Sequence, residues 1–168
     1  MHTVRIPKVI QFGENALSEA DYPKNALVVT TAPPALSGKW LDRMGIQDYM
    51  LFDKVTPEPS INDVKNLIDE FKTKNPSALI GLGGGSSMDV VKYSSSEFGV
   101  EKILIPTTFG TGAEMTTYCV LKFDGKKKLL HEDNEYPCAT PSFENTYDSA
   151  CPNVVEQFPN PIPESIEP

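Results

Sequence analysis

The chain has 168 residues, of which 39% are apolar, 15 are Lys or Arg and 23 are Asp or Glu, for a formal net charge of -8. That length supports one core, so a single domain with an appendage is expected rather than two full domains, and the lack of any basic excess argues against a nucleic-acid partner. No run approaches the roughly 20 apolar residues that span a bilayer, and residues 1–5 lack the apolar centre of a signal peptide, so no membrane partner and a cytoplasmic location are expected.

In chain order, residues 4–12 mix β-branched side chains with Pro7 and end at Gly13, which reads as an edge strand and a turn. An edge of that kind offers a route to self-pairing in a homo-oligomer. A short helix is expected through Leu17. Residues 25–31 (NALVVTT) form a nearly continuous apolar run, typical of a strand buried on both faces, and Ala32-Pro33-Pro34 stops it. Helix-like sequence over 37–44 leads to a second strand at 47–52. Ile61, Val64, Leu67, Ile68 and Phe71 fall at helical spacing, with Ser60 placed to cap and Lys72 and Lys74 near the last turn. A third strand at 78–82 runs into Gly83-Gly84-Gly85-Ser86, and 87–96 then has a helical pattern with Met88, Val91 and Ser95 on one face. A fourth buried strand occupies 102–105 and ends at Pro106. Strands alternating with helices at this interval predict βαβ units: an α/β chain with a parallel sheet and helices on both faces. Residues 115–123 read as a further extended segment, either closing that sheet or forming a hairpin beside it.

The charge is unevenly placed. Residues 1–130 carry 15 basic and 15 acidic side chains, whereas 131–168 carry eight acidic ones and no Lys or Arg, with seven of the 15 prolines and none of the 11 glycines. Such a segment has little apolar area to offset chain entropy, so we divide the chain at Leu130 into a domain (1–130) and an acidic, proline-rich tail of low order (131–168). Three cysteines, Cys119, Cys138 and Cys151, show no CxxC spacing and suggest neither a disulfide framework nor a zinc site.

Two constellations carry chemistry. The first, Gly81-Leu82-Gly83-Gly84-Gly85-Ser86-Ser87-Met88-Asp89, sits at a strand-to-helix junction. Consecutive glycines keep side chains away from the backbone, and the helix that follows offers unpaired amides and a positive dipole end, the conditions for a phosphate-binding turn. It is neither a Walker A loop nor the GxGxxG fingerprint; taken alone, it is equally a tight turn that needs glycine. The second, Ile105-Pro106-Thr107-Thr108-Phe109-Gly110-Thr111-Gly112-Ala113-Glu114, follows the next strand. Both would project from the carboxyl edge of the sheet, where open α/β sheets bind ligands, and two such loops on adjacent connections favour a nucleotide crevice.

GGGSSMD followed by IPTTFGTGAEMT resembles the paired signature of the iron-containing alcohol dehydrogenases, relatives of glycerol dehydrogenase and dehydroquinate synthase. The likeness runs from about Ile6 through Leu130, including Gln11-Phe12-Gly13, Pro57-x-Pro59, and Lys92 after Asp89. It implies a Rossmann-like nucleotide-binding half whose partner is a dinucleotide, NAD or NADP. By position, the resemblance assigns the pyrophosphate loop to Gly84, Gly85, Ser86 and Ser87 with Met88 beside it. It assigns Thr107, Thr108 and Thr111 to the adenine, ribose and nicotinamide ends, and a hydrophobic residue and a lysine lining the cofactor to Val120 and Lys128. The competing reading of Lys126–Lys128 is a solvated turn after Asp124-Gly125. Relatives that prefer NAD carry an acidic residue at the end of the first βα strand, where this chain has Thr30-Thr31, so NADPH is expected to be tolerated.

The resemblance also implies an iron, sometimes zinc, site built from one aspartate and three histidines on a C-terminal helical domain. Only His2 and His131 occur here, and prolines at 159, 161 and 163 break any helix where those ligands would begin. The resulting expectation is the cofactor-binding half of an NAD(P)-dependent alcohol or aldehyde oxidoreductase, truncated before the metal ligands, without catalytic residues of its own and inactive alone. The alternatives are a non-catalytic nucleotide-binding or interaction module, or a degraded remnant.

Overall fold

The computed structural model describes residues 7–31, 38–108 and 110–130 in full, and the backbone alone at 34–37, 131, 138–139 and 154–155. Strand β1 (Gln11–Phe12) and helix α1 (Ala16–Glu19) precede β2 (Ala26–Thr30), α2 (Pro34–Met44) and β3 (Tyr49–Phe52). Next come α3 (Ile61–Phe71) with a 3-10 turn at Lys72–Lys74, β4 (Ala78–Gly83), α4 (Gly85–Phe98) and β5 (Glu101–Pro106). A second 3-10 turn (Ala113–Met115) leads to β6 (Tyr118–Phe123) and β7 (Lys126–His131), and the dipeptides β8 (Cys138–Ala139) and β9 (Val154–Val155) follow.

Five strands form one sheet in the order β3-β2-β4-β5-β8, with every pairing parallel. Its centre is buried on both faces, which is why β2 and β4 read as unbroken apolar runs. On one face Leu27, Val29, Leu79 and Leu104 pack with Val64, Leu67 and Phe71 of α3, Val91 of α4 and Leu121 of β6. On the other, Val28, Ile80, Ile103 and Ile105 pack with Leu17 of α1 and Trp40, Leu41 and Met44 of α2. The helices therefore cover both faces of a Rossmann-like sheet. Among the described residues no helix is long and apolar enough to cross a membrane.

Local chemistry explains the boundaries. Helix α3 opens with a reciprocal cap: Asp63 accepts from the Ser60 amide (2.8 Å) and hydroxyl (2.7 Å), and from the Thr56 amide (3.1 Å) and hydroxyl (3.3 Å). Burial raises the Asp63 carboxyl, but these four bonds outweigh it and leave it below its ordinary value. Pro34 begins α2, where its missing N–H costs nothing. Gly81 lets α4 approach β4 closely: a Cβ there would stand 3.1 Å from Leu104 Cδ2 and 3.3 Å from Val91 Cγ2.

Several expectations change. In the opening segment only Gln11–Phe12 form a strand among the described residues, pairing with β9; residues 4–6 lie outside them. The helix after the glycines begins at Gly85 rather than Ser87, because extended Gly84 serves as its N-cap. Residues 118–123 form a hairpin beside the sheet. Lys126–Lys128 belong to its second strand and not to a turn, because left-handed Asp124 and Gly125 close it in two residues. Strand β7 continues one residue past the division drawn at Leu130, and β8 and β9 fall within the segment set apart by composition. Phe109, the prolines at 159–163 and the rest of that segment lie outside the described residues.

Candidate functional site: the carboxyl edge of the sheet

Strands β2, β4 and β5 end side by side, so parallel pairing brings Thr30-Thr31, Gly83–Gly85 and Pro106–Thr108 to one edge. The Thr107 amide donates to the Gly83 carbonyl at 2.9 Å, tying the two loops together. The glycines leave open the space between them. A Cβ on Gly84 would stand 3.0 Å from Thr108 Oγ1, and one on Gly85 would stand 3.7 Å from Thr111 Oγ1. Gly84 caps α4 without a side-chain hydrogen bond, so the first-turn amides of this 14-residue helix point out of its N-terminus toward that space.

The sequence-assigned residues take different places around this edge. Gly84, Gly85 and Ser86 are partly exposed at the junction, and Thr108 and Thr111 are exposed across from them, with Thr107 half-buried. Ser87 is wholly buried: its Oγ accepts the Thr31 amide at 3.0 Å and lies 3.4 Å from Thr31 Oγ1, locking the end of β2 to α4. Met88 is 1% exposed and packs in the core, so only its backbone borders the edge.

A cavity of about 180 Å³ continues from the α4 N-terminus, lined by Gly85, Ser86 and Asp89, by Glu58 and Pro59, and by Val120, Lys122 and Lys127 of the hairpin. Val120 thus lies beside the glycine junction. Lys128 lies on the other face of β7, with its ammonium 5.0 Å from the Phe123 ring centre, and Lys127 reaches the cavity. The two-residue turn dictates this: it pairs Lys122 with Lys127 and Val120 with Leu129, placing all four on one face. The Asp124-Gly125 dipeptide was the signal in the sequence that could have identified Lys127.

Charge around the cavity is arranged. Glu58 binds Lys122 at 2.6 Å and also Lys127, and hydrogen bonds from both ammonium groups pull its carboxyl down to about 2. Burial pushes the Asp89 carboxyl above its ordinary value, while Lys92 and the Val120 amide pull the other way. Among the described residues no group of three or more His, Cys, Asp and Glu side chains could hold a metal ion, so they do not fit one; the side chains of His2 and His131 lie outside them.

These features agree with what the chain resembles. The sequence model of the family described as iron-containing alcohol dehydrogenase matches residues 7–140. A 1-propanol dehydrogenase of Citrobacter freundii is 42% identical over 95 residues, covering 52% of this chain and 26% of that protein. An iron-containing alcohol dehydrogenase of Thermotoga maritima superposes with a TM-score of 0.69 at 25% identity, covering 93% of this chain and 47% of that one. A sulfoacetaldehyde reductase from Bifidobacterium kashiwanohense, crystallised in complex with NAD+, has the same fold, with a TM-score of 0.70 at 20% identity over 93% of this chain and 46% of that one. The chain therefore spans about a quarter of the first relative's length and less than half of each solved chain. With its glycine junction and threonine loop meeting at one sheet edge, and the family match running through both, the chain belongs to the iron-containing alcohol dehydrogenases.

Proposed function

We propose that this chain is the nucleotide-binding part of an NAD(P)-dependent alcohol or aldehyde oxidoreductase. The observation that carries the reading is the open space between the glycine junction and the threonine loop, which side chains at 84 and 85 would narrow and at which α4 aims its free amides. A dinucleotide diphosphate suits that seat, because its charge meets both the dipole and unpaired donors. Backbone groups of Gly84, Gly85, Ser86, Ser87 and Met88 would hold it, with Thr107, Thr108 and Thr111 supplying hydroxyls from the opposite loop. Val120 and a lysine of β7, Lys127 by its position or Lys128 by the family resemblance, would line the continuation of the crevice. The nicotinamide, when bound, supplies or accepts the hydride. The NAD+ complex of the structurally similar sulfoacetaldehyde reductase and the activity named for the 1-propanol dehydrogenase support this assignment.

Thr31 stands at the end of β2 in place of a carboxylate, so a 2'-phosphate meets no repelling charge there and NADPH is accepted beside NADH. The sequence offers only His2 and His131 where the resemblance implies three histidines and an aspartate, so the reading is of binding without turnover by these 168 residues. Fluorescence titration of the purified chain with NADH and NADPH, followed by an alcohol-oxidation assay with added ferrous or zinc ion, tests both. Saturable binding of each cofactor and no turnover are expected. Failure to bind either would refute the nucleotide reading, and metal-dependent turnover would refute the assignment of binding alone.

A further inference from the structure

We infer that Asp89 and Lys92 are positioning residues that clamp the free edge of β6 to α4 and so set the spacing between the glycine junction and the hairpin wall of the crevice. The functional half of this inference rests on the cofactor reading above, and the structural half rests on geometry alone.

In a two-stranded hairpin one edge of each strand lacks a partner. Along the free edge of β6, alternate residues turn their backbone groups away from β7, and one group on each of Tyr118, Val120 and Lys122 finds a partner elsewhere. The Tyr118 carbonyl accepts from Lys92 Nζ at 2.6 Å, the Val120 amide donates to Asp89 Oδ2 at 3.1 Å, and the Lys122 amide donates to the Pro59 carbonyl at 2.9 Å. Two of the three anchors are side chains of α4 spaced one turn apart, and they also meet each other, Lys92 Nζ lying 3.4 Å from Asp89 Oδ1.

The Lys92 side chain is fully enclosed. An enclosed ammonium is costly, and an apolar side chain of similar volume would fill that space more cheaply, so packing alone does not call for the pair. What the pair supplies is direction: a charged donor and a charged acceptor that recognise one carbonyl and one amide of the hairpin, fixing its register along the helix. Asp89 lies three and four residues after Ser86 and Gly85, hence on their face of α4, and all three line the same cavity as Val120. The group that holds Val120 is thus carried by the same turns of helix that present the diphosphate seat. The other charges facing this cavity, Glu58, Lys122 and Lys127, pair among themselves at its mouth.

The test uses the full 168-residue chain and two readouts, the hydrogen-exchange rate of the Val120 amide and the NADH dissociation constant. The double variant Asp89→Ala/Lys92→Met removes the clamp without stranding a buried charge. It is expected to speed Val120 exchange and to raise the NADH dissociation constant by roughly tenfold each, the effect of losing a hydrogen bond to a charged group. Asp89→Asn, which keeps an acceptor for the amide, is expected to restore most of both. Leu41→Ala, in the core on the opposite sheet face, should lower the unfolding midpoint and leave both readouts as in the wild type. Unchanged Val120 exchange in the double variant would overturn the clamp. Faster exchange with unchanged NADH affinity would overturn its role in the crevice, as would an equal affinity loss in Leu41→Ala. If the wild-type chain binds neither NADH nor NADPH, the cofactor reading falls, and Val120 exchange alone decides the clamp.

Discussion

Adjacent glycines at the end of β4 should respond to the same substitution in opposite ways. Gly83 has φ +145°, a conformation nearly closed to other residues, and a Cβ there would stand 2.8 Å from Ser87 Oγ. Gly83→Ala therefore incurs about 1–3 kcal/mol of backbone strain. It also displaces the hydroxyl that accepts the Thr31 amide, a hydrogen bond worth about 1 kcal/mol. The sum, roughly 2–4 kcal/mol, should lower the melting temperature by roughly 5–15 °C. Gly84 has φ -90°, which alanine adopts freely, and the atom its Cβ would press, Thr108 Oγ1 at 3.0 Å, ends an exposed side chain able to turn aside. Gly84→Ala should change stability by no more than about 0.5 kcal/mol. Its methyl would nevertheless stand in the proposed diphosphate seat and weaken NADH binding by about tenfold or more. Thermal unfolding and fluorescence titration of the two variants side by side check the pair. Equal destabilisation, or wild-type NADH affinity in Gly84→Ala, would refute the reasoning.

Asp63→Ala strips four hydrogen bonds from the start of α3 and should cost about 1–3 kcal/mol by urea unfolding. Because the folded Asp63 carboxyl lies below its ordinary value, its contribution is present above the unfolded value of about 3.9 and is lost as pH falls through the folded one, so wild type and variant should converge in acid. Glu58 follows the same sign: a carbon-detected NMR titration should find its midpoint near 2, and Lys122→Met with Lys127→Met should return it toward about 4.3. Thr31→Asp should weaken NADPH binding by about tenfold more than NADH binding, read from paired titrations, since a carboxylate repels the 2'-phosphate.

The centre of the sheet was legible because its strands are buried on both faces, so short continuous apolar runs such as 26–30 and 78–82, bounded by turn residues, read as strands. The two polar loops were legible because glycine and threonine after successive parallel strands must reach the same edge. Side-chain direction was less so. The helical pattern was read from Ser87 onward, with Ser87 also assigned to the phosphate loop by resemblance and Met88 beside it, yet the helix starts two residues earlier and turns both inward, a consequence of Gly84 acting as cap that glycine content alone does not fix. The choice between Lys127 and Lys128 depends on strand register, which a one-residue slip reverses. The clamp at Asp89 and Lys92 was invisible because its partners are backbone atoms 26 and 31 residues away, which leave no pattern in the side chains.

Amide chemical-shift mapping of the labelled chain during NADH titration addresses the diphosphate seat directly. The largest saturable shifts are predicted at Gly84–Ser87, Thr107, Thr108, Thr111 and Val120. Shifts confined to other surfaces, or none at cofactor concentrations that saturate nucleotide-binding relatives, would contradict it.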